Sequence, residues 1–187
     1  MSNSGHRTIW LMAAISVLPM AAAYLFYLDW RPQSGMNHGE LLQTQPVPQA
    51  VLSDLSGKTF ATDKLRGKWL LVTVQSPSCD EKCQRKLYYI RQVRIAQGEN
   101  MSRIDRIWLL RGEGMPNPGL IAEHPGLLIA RPTAPSWLTI FPAKSDVAEH
   151  IYLIDPLGNL VLRYNDDVNP KGMVGDLVRL LKISRVG

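Results

Sequence analysis

The sequence is sparing with reactive side chains. It has two cysteines and four histidines in 187 residues, which confines thiol and imidazole chemistry to a handful of positions. No P-loop, GxSxG, HExxH or dinucleotide fingerprint occurs, so the chemistries that depend on those motifs have no support. No internal repeat is present. The balance of 21 Lys+Arg against 16 Asp+Glu is modestly basic and lacks a dense Lys/Arg tract, so the charge does not argue for nucleic acid. It reads as a solvated basic surface, or one facing an acidic partner or anionic lipid. What the chain does have is one long apolar run and one close pair of cysteines.

The apolar run, Ile9 to Leu28, carries no charge over about 20 residues, the length a helix needs to cross a bilayer. His6 and Arg7 precede it, and Tyr24, Tyr27 and Trp30 gather at its far end like an interfacial aromatic belt. The small residues Ala21-Ala22-Ala23 offer a signal-peptide cleavage site as the rival reading. The run continues through Leu28, beyond a usual signal h-region, which favours an uncleaved single-pass anchor. Arg7 and Arg31 nearly balance across it. A short tail inside and the large domain outside is the arrangement read here; in a bacterium it puts an inner-membrane anchor at residues 1–30 and the C-terminal domain in the periplasm. A disulfide persists in that compartment.

Residues 31–49 read as a linker rich in Pro, Gly, Ser and Gln, with His38 and Met36 as solvated residues of a tether. The domain proper is assigned to residues 50–187. Val51–Leu55 and Thr59–Phe60 form a short hairpin turned at Gly57. Trp69 to Val74 is a continuous apolar strand suited to the buried centre of a sheet. A helix from about Asp80 to Ala96 follows, with Cys83, Leu87, Ile90 and Val93 on one face and Gly98 stopping it. Ile104–Leu110 is the next strand, and Leu120–Glu123 and Pro135–Phe141 are weaker segments. His150–Ile154 and Leu160–Tyr164 make a hairpin through Asp155-Pro156-Leu157-Gly158-Asn159, and Pro170 opens a last amphipathic helix.

Cys79 and Cys83 fall at the break between the apolar strand and the first helix of the domain, after Ser76-Pro77-Ser78. At i and i+4 on a helix their Cβ atoms stand about 6 Å apart. A disulfide prefers about 3.8 Å, so a regular helix would have to be adjusted by the preceding loop. Two thiolates around one metal tolerate the wider spacing, and soft sulfur selects Cu(I), with an imidazole as a reasonable third donor. A structural zinc site would need a fourth ligand that the chain does not offer. A helix N-terminus lowers a thiol pKa; Asp80 and Glu81 oppose that, and Lys82 and Arg85 partly offset them. A purely stabilising disulfide, or two buried thiols, remains a competing reading.

The element order, with cysteines at the strand-to-helix turn, defines an α/β, thioredoxin-like fold with one N-terminal transmembrane helix. The segments Leu65-Arg66-Gly67-Lys68-Trp69-Leu70-Leu71-Val72, CDEKC at Cys79–Cys83, and Tyr152-Leu153-Ile154-Asp155-Pro156-Leu157-Gly158 resemble the Sco/SenC family of membrane-tethered copper proteins. The resemblance covers most of the chain from about Val51. It implies that the CxxxC pair and one distant histidine bind copper. It further implies a role in the maturation of the copper site of cytochrome c oxidase, by copper delivery or by thiol reduction. The implied partner is cytochrome c oxidase subunit II or another copper or thiol protein.

Three positions depart from the family pattern. Gln84 replaces the proline after the second cysteine, the segment 107–114 lacks a DPxRD-like motif, and the family's histidine register falls near Val147. His150 is the nearest imidazole and is taken as the third metal ligand beside Cys79 and Cys83. The same pair would serve thiol–disulfide exchange, with Cys79 as the more exposed, attacking cysteine and Cys83 resolving. A thioredoxin-fold scaffold without metal is a further alternative. His124, at a helix-end turn, is expected to be exposed.

Overall fold

The computed structural model describes residues 4–29 and 37–184. Trp30 and residues 31–36, which complete the expected aromatic belt and open the expected linker, lie outside the described residues. The chain divides into two compact units, Met1–Gly35 and Met36–Gly187. The described residues of the first form one helix, α1 (Ser4–Asp29), of which the 21 residues His6–Phe26 are long and apolar enough to cross a membrane.

The second unit is a mixed eight-stranded sheet with helices. Its strands are β1 (Glu40–Pro46), β2 (Val51–Asp54), β3 (Thr59–Ala61), β4 (Trp69–Gln75), β5 (Ile104–Leu110), β6 (Leu127–Pro132), β7 (Ile151–Ile154) and β8 (Asn159–Tyr164). They lie in the order β1-β8-β7-β4-β5-β6-β2-β3. β4, β5 and β6 run parallel, and every other pairing is antiparallel. The helices are α2 (Glu81–Ile95), α3 (Pro118–Ala122) and α4 (Pro170–Ile183). All seven residues of β4 are buried, as expected of a central strand covered on both faces.

Two cores flank the sheet. On one face, Leu87, Ile90 and Val93 of α2 and Met173, Leu177 and Leu181 of α4 pack on Leu71, Trp108 and Leu162, and both cysteines belong to this core. Each such side chain contributes about 1.5–3 kcal/mol of burial free energy. The other face, around Val72, Leu109 and Tyr152, is covered by Leu138 and Phe141 of an irregular segment instead of a long helix.

Two strands differ from the sequence reading. The second half of the expected linker is β1, an edge strand paired with β8. Its residues are almost all exposed, so it carries no apolar alternation. Its start is held from a distance: the buried Asp176 carboxylate accepts the backbone N–H groups of His38 (2.9 Å) and Gly39 (3.0 Å). A Cβ at Gly39 would meet the Tyr164 ring at 2.6 Å, so glycine is required where the chain crosses it. His38 therefore sits against α4 and not in a free tether. The other strand is β6, whose short apolar run looks the same in a helix or a buried strand.

Candidate functional site

The loop between β4 and α2 is built by short-range hydrogen bonds. The Cys79 N–H donates to the Ser76 carbonyl (3.1 Å), closing a turn, and the Ser76 and Ser78 hydroxyls bond to each other (2.9 Å). Asp80 caps α2 by accepting from the Cys83 N–H (2.9 Å), so the expected helix start shifts by one residue. Cys79 therefore lies outside the helix, with φ of 39°; it is the one non-glycine residue with positive φ among those described. That left-handed backbone is strained for a residue with a Cβ. It also removes the geometric objection to a disulfide across i and i+4. Cys79 and Cys83 are bonded, with Cα atoms 5.1 Å apart.

Gln84, which stands where a proline was expected, has a role of its own. Its side-chain amide donates to the Cys79 carbonyl (3.1 Å) and braces the strained residue. Cys79 is 3% exposed and Cys83 1%, so the expectation of an exposed, attacking Cys79 is not met in the disulfide form: the bond is sunk in the α2–α4 core. One turn beyond Cys83, Lys86 is buried and pairs with Asp166, which also takes Lys82 (3.6 Å). Lys82 thus spends its charge on Asp166. Sequence spacing could have flagged Lys86 on the cysteine face, but Asp166 reaches it only through the fold.

Gln75, the last residue of β4, ties this loop to the segment before β7. Its amide donates to Ala148 O (2.7 Å), and its carbonyl accepts from the Arg111 N–H (2.9 Å). His150 follows at the same end of the sheet. It is buried, and its ring packs edge-on against Tyr152 (centroids 5.8 Å), a residue of the core on the opposite face from the cysteines. Neither ring nitrogen has a hydrogen-bond partner. Burial, and then the Arg163 guanidinium, hold its pKa below the ordinary imidazole value; Glu149 and weak hydrogen bonding to the Tyr164 backbone and the Asn165 side chain, short of good hydrogen-bond geometry, oppose this. Among the described residues no three His, Cys, Asp or Glu side chains converge as a metal-holding group. The structure brings Cys79 and Cys83 together and leaves His150 apart from them.

A groove of about 530 Å³ opens at the same end, where β5 and β6 finish, lined by Leu110, Arg111, Arg131, Thr133, Leu138 and Val147. Arg111 is clamped to Asp146 by two bonds (2.7 and 3.0 Å), and that pairing holds the Asp146 carboxyl below its ordinary pKa. His124 contradicts its expected exposure: it is 4% exposed, because the turn after α3 folds it in toward Arg106 on β5.

A parallel β4–β5–β6 core with a CxxxC pair at the β4–α2 turn defines a thioredoxin-like protein. The chain belongs to the transmembrane-like, thioredoxin-like family, whose C-terminal domain matches residues 69–184. No curated protein matches the sequence. Solved structures of Sco proteins share the fold. Copper-bound ScoI of Bradyrhizobium japonicum is 22% identical and superposes with a TM-score of 0.55, over 72% of this chain and 99% of its own. Copper-bound yeast Sco1 is 18% identical with a TM-score of 0.61, over 75% and 96%. BsSco, a member of the Sco family of cytochrome c oxidase assembly proteins with an identified disulfide switch, is 14% identical with a TM-score of 0.58, over 78% and 98%. At these identities the likeness is one of fold. The expected thioredoxin-like architecture and the Sco/SenC likeness both hold.

Proposed function

We propose that this protein is a membrane-tethered, Sco-like assembly factor whose Cys79–Cys83 pair is a thiol–disulfide switch that takes up Cu(I) as cargo when reduced. The observation that carries the reading is the disulfide at the β4–α2 turn, closed through a strained Cys79 and braced by Asp80 and Gln84. In the reductive direction, the Cys79 thiolate attacks a client disulfide and a client thiolate leaves. Cys83, deprotonated, then attacks the mixed disulfide, reforming the Cys79–Cys83 bond and releasing the second client thiolate. Two electrons pass to the client, and two protons from the pair end on its thiols.

Copper requires the reduced pair, because a disulfide offers no thiolate. Two thiolates suit Cu(I), and a partner with thiol, Met or His ligands can receive it. His150 supports a three-ligand variant of this reading: its buried ring nitrogens hold no hydrogen bond of good geometry, so little has to be given up for a metal. To reach the cysteines the imidazole has to turn away from Tyr152. The client we propose is subunit II of cytochrome c oxidase or another copper or thiol protein. The location we propose is the inner membrane, single-pass, with the C-terminal domain in the periplasm.

The test uses the full chain in neutral detergent. After reduction, Cu(I) is titrated against a competing chelator, in wild type and in His150→Ala. We expect one copper per cysteine pair, held more tightly than by an exposed dithiol; affinity no better than that of a free dithiol removes the copper reading. A reduction potential above about −300 mV is expected for a working switch, and one far below it makes the bond structural.

A further inference from the structure

Away from the disulfide, the last turns of α2 meet β5 and the α3–β6 turn in a cluster of basic side chains. Arg106 on β5 is 2% exposed and His124 is 4% exposed, while Arg91 and Arg94 of α2 are half-buried at the rim. Each arginine is fixed by one backbone carbonyl: Arg91 by Glu123 O, Arg94 by Ile104 O (2.6 Å), and Arg106 by Pro125 O. None of the three forms an ion pair among the described residues. Two of the Arg106 donors, Nε and Nη1, and the Nδ1 of His124 are buried with no partner.

Such an arrangement is costly, because a buried charge without a counter-charge forfeits hydration and gains nothing in return. The two nearby carboxylates relieve it only in part: Asp105 acts on Arg106 and Glu123 on His124, each less than burial and the neighbouring arginines do, and neither forms an ion pair with the cluster. Asp105 alternates to the other side of β5 and is taken by Lys68 (3.1 Å). Glu123 is exposed, and it is its main-chain oxygen that meets Arg91. The mutual repulsion adds to burial: Arg91 and Arg106 beside His124 push its pKa further below the ordinary imidazole value. Arg94 and Arg91 likewise act on Arg106.

We propose that Arg106 and His124, with Arg91 and Arg94 at the rim, form a binding site for a small tetrahedral oxyanion of the phosphate or sulfate class. Guanidinium donors held in fixed orientations match the several oxygens of such an ion. Donors from β5, from α2 and from the α3–β6 turn reach it from different directions, so a bound oxyanion would lock these three elements together. The exposed Pro125-Gly126 turn provides the way in. Arg91 and Arg94 lie eight and eleven residues beyond Cys83 along α2, about 12–16 Å of helix, so the site is separate from the disulfide.

The probe is inorganic phosphate, added to the full chain in neutral detergent and compared with chloride at matched ionic strength. Thermal unfolding and the ³¹P linewidth of phosphate are read together. Binding to the native state should raise the unfolding temperature saturably and broaden the ³¹P line. Phosphate also stabilises proteins by exclusion from their surface, so the decisive quantity is the difference between wild type and variant. Arg106→Met should abolish the saturable part of the thermal shift and the ³¹P broadening, and Arg91→Gln, at the half-buried rim, should weaken binding about ten-fold while leaving the fold intact. Cys79→Ser should leave both responses unchanged, which separates this site from the switch. The proposal is overturned if the phosphate-minus-chloride shift is the same in wild type and Arg106→Met. Should Arg106→Met not fold, an unchanged ³¹P response in Arg91→Gln overturns it equally.

Discussion

The two ends of α2 handle charge in opposite ways. At its N-terminus Asp80 caps the helix, and Lys82 and Lys86 share Asp166, so the buried ammonium beside the disulfide has a carboxylate. At its C-terminal end Arg91 and Arg94 meet Arg106 and His124, and backbone carbonyls are their partners in place of carboxylates. The first end is complete in itself and can devote its one unusual feature, the strained Cys79, to thiol chemistry. The second is short of negative charge, which is the imbalance the proposed oxyanion would relieve. The same amphipathic helix thus carries both of the sites proposed above, and the fold, through Asp166 and Arg106, sets the charge at each end.

The largest effect expected on this contrast is chemical. Replacing both cysteines by alanine should abolish thiol–disulfide exchange altogether, measured as turnover of a model disulfide, while costing about 2 kcal/mol of stability for so short a loop. Retained exchange activity would place the chemistry elsewhere. Next comes Asp166→Asn, which makes the N-terminal end of α2 resemble the other by leaving Lys86 buried without a counter-charge. A loss of about 3 kcal/mol is expected by denaturant unfolding, and Lys86→Met added to it should restore most of that. If the single variant costs nothing, the pairing is not what balances this end. Asp80→Ala should cost about 1 kcal/mol through the lost cap and shift the reduction potential of the pair.

The smallest effect sets the baseline for a charge pair in this fold. Arg111 and Asp146 are bidentate but about half exposed, so Arg111→Met should cost at most about 0.5 kcal/mol at neutral pH. Because Arg111 lowers the Asp146 pKa in the folded state, that stability is present above the unfolded value of about 3.9 and is lost as pH falls through the lower folded value. The two unfolding curves should therefore differ at pH 7 and converge in strong acid; a difference that grows in acid would reverse the assignment.

Much of the site was legible in the chain because its signals are local. The apolar run before Ser76-Pro77-Ser78, the CxxxC spacing and Asp80 at a helix start act within a few residues of one another, and the structure places them as a strand, a turn and a capped helix. The thioredoxin-like order likewise followed from the sequence of elements. Less visible was the partner of each group. His124 looked like an exposed turn residue, yet in the fold it is buried beside Arg106 of β5 and Arg91 of α2. Cys79 looked like the accessible thiol, yet the packing of α2 and α4 on the sheet covers it. β1 was hidden in a polar, proline-containing stretch, since an exposed edge strand needs no apolar alternation.

The sequence by itself therefore determined the apolar N-terminal helix, the central strand, the hairpin turn at Asp155–Asn159 and the position of the cysteine pair. Each depends on the composition of a short window and on hydrogen bonds between near neighbours. Tertiary structure alone decided that Asp166 answers Lys86, that His150 rests on Tyr152 instead of beside the cysteines, and that Arg106 and His124 are sunk together without a carboxylate. The physical reason is that pairing and burial depend on which faces of distant strands and helices meet. That meeting is fixed by sheet order and by the packing of α2 and α4, over separations no local pattern records.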